Sequence, residues 1–557
     1  ELRLLELDVL RAARTTGQRE LDAHSLVQLD VDQFHGIEIE EFPAQIAQVA
    51  LWLTDHQMNL KVSEEFGLYF ARIPLKSSPN IVHANALRID WNAVLPAERC
   101  SYVMGNPPFV GHQWRSLEQV ADMDRIWCDA GRFGRLDYVS CWHRLGVEYA
   151  RPNPAIRLAL VSTNSICQGE QVGILWPWML ENGVRIHFAH RTFQWTNEAR
   201  GVAGVHCIIV GFGLCDSDSH TIYDYGQNLR GEPTTLRTTR INPYLVDAAD
   251  VILPSRTRPP AGMPQLIKGS QPTDGGFLIF TDEEHTAFLE TWPASAKWMR
   301  PYLGGEELIN GGGRWCLWLK NADPVELRSV PGVVEQLAKV RNARLKSPTA
   351  SVREFADRPA LFTQDRQPEM SYIAVPEVSS ENRRFIPIGF LPASVIASNK
   401  LQIIKGGDRW LFGMLCSTMH NAWMRVVGGR LKSDYSYAPS VYNNFPWPID
   451  ATDAHRAAIE SAAQSVLDTR ATFPDASLAD LYDPLTMPPT LVKAHQVLDR
   501  AVDAAYVPSG GRKTWASDAE RVAFLFTLYQ RLTGLLPPDA PARTATRRRR
   551  ATRGRGS

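Results

Sequence analysis

Residues 1–215 alternate short apolar runs with stretches of helical periodicity, and this alternation limits the fold more than any other feature of the chain. Short apolar runs bounded by turn residues suit buried strands, and 3.6-residue patterns between them suit helices that cover a sheet. The expected product is an α/β domain with a largely parallel sheet. FHGIEI (34–39), SYVMG (101–105), RLALVSTNSI (157–166) and VHCIIVGF (205–212) read as its strands. EFPAQIAQVALWLTDHQM (41–58) reads as a helix with Phe42, Ile46, Val49 or Ala50, and Leu53 on one apolar stripe. The opening ELRLLELDVLRAAR reads as an amphipathic helix with its charges on one face.

At 557 residues the chain is too long for one core, which implies two to four domains. From about 226 to 450 glycine, proline and tryptophan become frequent and loops dominate, as in LPSRTRPPAGMP and LINGGGRWCLWL, with short strand-like runs such as RFIPIGF and LQIIK. This texture predicts a separate, irregular α+β domain. Helical spacing returns over 451–536: Leu491, Ala494, Leu498, Val502 and Ala505 form one stripe, and Val522, Leu525, Phe526 and Leu532 another after the start signal Ser517-Asp518 with Glu520. The end of the chain, 537–557, carries RTATRRRRATRGRGS and is expected to be a basic disordered tail, either simply solvated or in non-specific contact with nucleic acid.

Sixty basic and sixty acidic residues cancel, which excludes a polycationic protein but leaves room for local basic surfaces. No window approaches a membrane span. The cysteines, Cys100, Cys128, Cys141, Cys167, Cys207, Cys215, Cys316 and Cys416, form no C-x-x-C pair, so they read as reduced thiols of a cytoplasmic protein and no metal site is expected.

YVMGNPPFVGHQW (102–114) ends an apolar run with two consecutive prolines between an asparagine and an aromatic. Such a corner has fixed φ at both prolines and no N–H on either. One reading is a proline-terminated strand end. The other is chemical. The amine of adenine or cytosine is conjugated with its ring and is a poor nucleophile. A site that accepts hydrogen bonds from both amino hydrogens draws the nitrogen toward a tetrahedral geometry and frees its lone pair. The Asn106 side-chain oxygen and the Pro107 carbonyl can be those acceptors, Pro108 stiffens the corner, and Phe109 offers a face for the base.

GNPPF resembles the catalytic motif of S-adenosylmethionine-dependent amino-methyltransferases, where asparagine in first position favours adenine. FHGIEIEEFPAQIAQVALWLTDHQMN (34–59), ANALRIDW (84–91), STNSICQGEQVGILWP (162–177) and FQWTNEARGVAGVHCIIVGF (193–212) resemble, in this order, successive motifs of the MmeI-like (type IIL) restriction-modification proteins. GRLKSDYSYAPSVYNNFPWP (429–448) and SLADLYDPLTMPPTLVKAHQVLDRAVDAAY (477–506) resemble their C-terminal hallmarks. The resemblance implies a Rossmann-like class I methyltransferase domain over 1–225, an α+β target recognition domain over 226–450 that binds double-stranded DNA, and a helical C-terminal domain over 451–536. The implied reaction is methylation of the adenine N-6 amine in duplex DNA with S-adenosyl-L-methionine as cofactor. Amino-methyltransferases acting on protein glutamine or on RNA, and a DNA-binding relative without activity, remain as alternatives.

Position by position, the resemblance implies that Glu38 holds the cofactor ribose, although an acid at a strand end also serves as a helix N-terminal charge, a role that suits Glu40 and Glu41 better. Asn85 stands where relatives often carry aspartate toward the cofactor adenine, and Ile37 with Ala86 or Leu87 would line the adenine slot or pack the core. Asp137, in RLDYVSCWHRLGVEYA (135–150), either orients the corner or caps the following helix, with the structural role favoured. Phe193 and Trp195 would hold an extruded base from the side opposite Phe109, or form a buried pair. Asn164 and Ser165 could simply start a loop. Arg430 and Lys432 would meet the DNA backbone, and Ser433, Asp434 and Tyr435 would make polar contacts, with an ordinary polar loop as the alternative. Arg383 and Arg384 are similarly open. Relatives also carry a glycine-rich D-P-A-C-G-x-G segment just before the first helix, and in full-length form a nuclease domain ahead of it. Neither is present in the given residues, whose nearest glycine, Gly17, lacks the pattern, so the chain as given reads as lacking its N-terminal part and is expected to bind the cofactor poorly.

Overall fold

The run before the proline corner forms the end strand of a sheet, with Tyr102 and Met104 exposed on one face. The computed structural model describes residues 1–13, 27–66, 78–129, 131, 133–195, 205–226, 228–260, 262–431 and 433–535. Gly17, the NEA segment at 197–199, Lys432 and the basic tail at 537–557 lie outside them. Two compact units form, Glu1–Ile252 and Leu253–Ser557.

In the first unit β1 (His35–Glu38) and β2 (Asn80–His83) make a parallel pair. A six-stranded sheet contains β3 (Tyr102–Gly105), β4 (Arg157–Thr163), β5 (Arg185–Trp195), β6 (Val205–Gly213), β7 (His220–Asp224) and β8 (Thr234–Thr238), in the order β3-β4-β6-β5-β7-β8. The expectation of a largely parallel sheet is corrected here. β3–β4 and β5–β7 are parallel, but β6 runs antiparallel to both β4 and β5, and β8 to β7. The physical reason is connection length: β6 returns to β5 through a short link, and a parallel return needs a long crossover.

Helices α1 (Leu2–Ala13), α2 (Glu41–Phe66), α3 (Leu117–Ile126), α4 (Ser140–Ala150) and α5 (Val172–Glu181) surround these strands. Helix α4 lies close on the sheet: a Cβ at Gly146 would sit 2.6 Å from Leu158 Cδ2, and the ring of His143 stacks on Phe212 at 5.7 Å. Two expectations about helix faces fail. On α2 the stripe Phe42, Ile46, Val49 and Leu53 is more than half exposed, and the buried positions are Ala44, Met58, Asn59 and Val62. On α1 Leu7 is buried beside Arg3, which donates to Asn59 Oδ1 at 2.6 Å, whereas Leu2, Leu4, Leu5 and Val9 face solvent. In both helices the covered face is the one that meets Leu7, Val27, Met58 and Val62.

The second unit carries three small sheets. β10 (Ile279–Thr281), β12 (Arg314–Leu317), β11 (Met299–Leu303) and β16 (Ile396–Ala397) form one, and β15 (Gly389–Leu391), β13 (Tyr372–Pro376), β17 (Leu401–Ile404) and β9 (Leu266–Lys268) another. The third has the order β14 (Val378–Ser379), β19 (Asp434–Ser436), β18 (Gly429–Leu431). Its helices include, in chain order, α6 (Arg409–Cys416), α7 (Thr418–Val427), α8 (Asp453–Ala471), α9 (Pro489–Tyr506) and α10 (Asp518–Leu535). The stripe Leu491, Ala494, Leu498, Val502 and Ala505 is buried as its spacing predicts, and Gly413 lets α6 approach α8 and α9 so closely that a Cβ there would meet Ile459 at 2.9 Å and Leu498 at 3.1 Å. Asp499 on α9 caps α7, accepting from the Thr418 N–H and hydroxyl at 2.7 Å each. Buried Arg344 spreads its donors over the carbonyls of Pro272, Thr273, Phe355, Arg358 and Leu361, which ties the 272–273 and 355–361 stretches together without a carboxylate. Among the described residues no helix is long and apolar enough to cross a membrane.

Candidate active site

The ladder of β3 with β4 ends at Gly105 opposite Leu160, and the chain turns out of the sheet at Asn106-Pro107-Pro108-Phe109. Pro107 is buried, Asn106 and Pro108 are exposed and Phe109 is half-buried. Among the described residues nothing in the protein bonds to the Asn106 side chain or the Pro107 carbonyl, so both acceptors are free for a ligand. The far side of the corner is pinned: the Tyr138 N–H donates to the Val110 carbonyl at 3.0 Å.

Asp137 sits under this pin. Its Oδ2 accepts from Thr163 Oγ1 at 3.0 Å, and its N–H donates to Gln171 Oε1 at 2.9 Å. Its side chain does not cap α4, whose N-terminus has no side-chain cap. It joins the end of β4 to the segment that holds the corner. Next to it, Asn164 is buried with its Nδ2 unpartnered, and Ser165 Oγ donates to Thr163 Oγ1 at 3.3 Å.

Glu38 and His83 are register partners at the C-terminal ends of β1 and β2. Glu38 Oε1 accepts from the Glu40 N–H at 3.1 Å, leaving Oε2 unengaged. Asn85 Oδ1 is taken by the Leu87 N–H at 2.9 Å, and the Ala86 carbonyl by Trp91 Nε1 at 2.8 Å. Ile37, Asn85 and Ala86 are half-buried, while Leu87 is fully buried. Ile37, Glu38, Asn85 and Ala86 thus lie together at one end of the parallel pair.

Asp122 on α3 connects this region to the corner, and sequence reading missed it. Its carboxylate accepts from Arg88 Nε at 2.9 Å and from the Tyr138 hydroxyl at 2.8 Å, and Arg125 beside it donates to the Leu87 carbonyl. Burial alone pushes Asp122 up, but Arg88, Tyr138 and Arg125 outweigh it and hold the carboxyl below its ordinary range.

Phe193 on β5 shares a row with Cys207 on β6 and Thr163 on β4, at the end of the sheet where the corner leaves β3. Three strand spacings separate β5 from β3, about 14 Å. Phe193 does not pair with Trp195 alone. It stacks on Tyr225 at 5.2 Å, with Trp195 at 6.0 Å, and His190 Nδ1 meets the Tyr225 hydroxyl at 2.9 Å while its ring stacks on Tyr223 at 4.3 Å. Burial lowers His190 below its ordinary value. The aromatic wall therefore includes Tyr225, Tyr223 and His190, which no spacing rule brings together. A cavity of about 350 Å³ lined by Arg185, Asp216, His220, Arg240 and Asp250 lies at the opposite end of this sheet, away from the corner.

In the second unit the hairpin β18–β19 carries Arg430, Ser433, Asp434 and Tyr435. Arg430 is bonded to Glu381 and to the Ser433 carbonyl, and Asp434 Oδ1 accepts from the Glu381 N–H at 3.4 Å. Arg383 and Arg384 offer their carbonyls to Arg425, and the Arg384 guanidinium lies over Phe385.

An α/β sheet with a corner of unengaged acceptors at its strand ends, followed by a second unit of small sheets and helices, has the layout of a methyltransferase-type domain joined to a recognition module. The family models agree segment by segment: the MmeI DNA-methyltransferase domain matches residues 1–224, the MmeI target recognition domain residues 247–449 and the MmeI C-terminal domain residues 451–537. The structure of the Type IIL restriction-modification enzyme MmeI in complex with DNA is similar at 52% identity with a TM-score of 0.82, over 96% of this chain and 71% of that one. DNA methyltransferase A of Bacillus subtilis (strain 168) is 37% identical over 96% of this chain, which spans 59% of that relative's length. The chain belongs to the MmeI family.

Proposed function

We propose that this chain carries the catalytic and recognition parts of a restriction-modification enzyme that methylates the N-6 amine of adenine at a specific site in duplex DNA, acting in the cytoplasm. The observation that supports it most is the unengaged pair of acceptors, the Asn106 side chain and the Pro107 carbonyl, on a corner stiffened by two prolines. Asn106 Oδ1 and the Pro107 carbonyl accept the two amino hydrogens of an extruded adenine, which directs the nitrogen lone pair away from the ring. Phe109 stacks on the base, and the Phe193–Tyr225–Trp195 wall bounds the same end of the sheet. The sharpening to adenine rests on asparagine as the first residue of the corner.

S-adenosyl-L-methionine, when bound, supplies an electrophilic sulfonium methyl, so no base is needed to ionise the amine first. The residues present suit its nucleoside half. Glu38 retains a free carboxylate oxygen for the ribose hydroxyls, Asn85 retains its side-chain N–H groups for the adenine, and Ile37 and Ala86 give apolar walls.

The test uses the complete gene. Single-molecule sequencing of DNA from an expressing host should show N6-methyladenine at one motif, and Asn106→Ala should lower the rate at least ~100-fold, the loss typical of one preorganised acceptor or donor. An undiminished rate in that variant, or methyl transfer to tRNA or protein instead of duplex DNA, would overturn the reading.

A further inference from the structure

The hairpin β18–β19 has two unlike faces. Register places Arg430 opposite Tyr435, and Tyr435 opposite Ser379 on β14, so these three share one face. Leu431 and Asp434, the adjacent pair, project from the other. On the first face Arg430 is engaged through Nη1 and through its stacked plane, while its Nε is buried without a partner. Its Nη1 donates to Glu381 Oε2 at 2.8 Å and to the Ser433 carbonyl at 2.6 Å, and its guanidinium carbon lies 4.3 Å from the Tyr435 ring centroid. Its side chain is 11% exposed and that of Glu381 22%. On the second face Leu431 is 59% exposed, although it is a large apolar side chain at the end of a strand.

A phosphate contact through Nη1 would have to break a charged pair and a turn hydrogen bond, and any other would have to reach a guanidinium that is only 11% exposed and already paired with Glu381. The three contacts of Arg430 span the turn: Glu381 is next to β14, Ser433 is in the turn, and Tyr435 is on β19. We propose that Arg430 is a positioning residue. Clamped by Glu381, it fixes the β18–β19 turn so that the Leu431–Asp434 face meets duplex DNA in one geometry, and it sets discrimination between sequences without anchoring a phosphate. This rests on the reading that the segment matching the target recognition domain contacts DNA.

Two variants of the full chain test it, Arg430→Lys and Glu381→Gln. Lysine keeps the charge but loses the fork and the stacking plane. In the DNA-free protein, amide exchange across residues 430–436 should accelerate at least ~10-fold in both, because the turn opens once its clamp is gone. In selection from a random-sequence 30-base-pair duplex library, both should broaden the enriched motif while the salt dependence of binding stays unchanged. The double variant should be no worse than either single. A phosphate-contacting Arg430 behaves differently: Glu381→Gln then frees it, tightens binding to all duplexes and steepens log K against log salt by about 0.9. That result, or unchanged exchange in both variants, would overturn the proposal. If the unaltered chain retained no duplex from the library, the DNA-reading assignment would fall, and the exchange measurement would still decide whether Arg430 clamps the turn.

Discussion

Asp122→Asn isolates the link between the proposed cofactor end of β1–β2 and the proposed catalytic corner. The carboxylate accepts from Arg88 Nε at 2.9 Å, Arg88 Nη2 at 3.3 Å and the Tyr138 hydroxyl at 2.8 Å, and its side chain is 4% exposed. Asparagine has the same shape but turns one acceptor into a donor. Each carboxylate oxygen accepts from Arg88, so in either orientation that NH₂ faces an Arg88 donor and at least one of those bonds is lost. Hydrogen bonds to a charged group are worth about 1.5–3 kcal/mol each. Arg88 is 47% exposed, and water screens its share, so the net loss should be near 2 kcal/mol. For a unit of about 250 residues this lowers Tm by roughly 4–8 °C. Differential scanning calorimetry of the single variant, of Tyr138→Phe and of the double variant measures both the loss and its sharing. Because each substitution weakens the bond between Tyr138 and the charged carboxylate, the double variant should fall short of the sum by about 1 kcal/mol. Tyr138 also holds Val110 through its N–H, and Arg125 holds Leu87, so the variant of the complete enzyme should lose catalytic efficiency as well. A Tm shift under 1 °C, or strict additivity with Tyr138→Phe, would refute the role of Asp122 as a shared anchor.

Gly211→Ala places a Cβ 2.1 Å from the Phe188 ring across the β5–β6 ladder, which should cost about 1–3 kcal/mol in chemical denaturation, and Phe188→Leu in the same chain should recover part of it. His143 is buried on α4 with Nε2 unpartnered, and burial lowers it to about 4 from an ordinary 6.5. As pH falls below 6.5 the unfolded chain takes up a proton that the folded chain refuses, so stability declines by about 1.4 kcal/mol per unit until pH nears 4, with no effect above 6.5. Urea unfolding at pH 7 and pH 5 should therefore show a drop about 2 kcal/mol smaller in His143→Leu than in the parent, the remainder arising from groups such as His420 and His495, which burial lowers to about 3.

What the sequence made legible was contiguous or periodic. The corner could be read because its four residues are adjacent and their chemistry needs no partner. The C-terminal stripe Leu491–Ala505 could be read because it repeats at helical spacing and its face is covered by α8 together with α6. The stripe on α2 repeats equally well but lies open, because periodicity reports that a helix has an apolar face and not which face the fold covers. The sheet was misjudged because an apolar run carries no direction, and β6 doubles back on β5. Asp137–Thr163 and Asp122–Arg88 were out of reach for another reason: each joins residues 26 and 34 positions apart whose meeting depends on the packing of α3 and α4. Arg430 shows the opposite limit. Its residue type suited a phosphate, and only the placement of Glu381, 49 positions away, shows that its charge is already paired.

The corner itself poses a problem of stiffness. An acceptor pair that must meet an amine at hydrogen-bond distance has to be held in place, yet any protein donor that held it would occupy it. Here the support is applied at both flanks and at neither acceptor. β3 is fixed to β4 up to Gly105, and Val110 is fixed by the Tyr138 N–H, so four residues span two anchored points. Within that span the prolines at 107 and 108 remove two φ rotations and two donors that would otherwise seek the free carbonyl. Tyr138 is braced in turn at both ends: the preceding residue, Asp137, is tied to Thr163 and Gln171, and the Tyr138 hydroxyl donates to Asp122. The sequence therefore separates the groups proposed to bind from the groups that brace, and substitutions among the bracing set should blur the geometry at Asn106 without touching the proposed ligand.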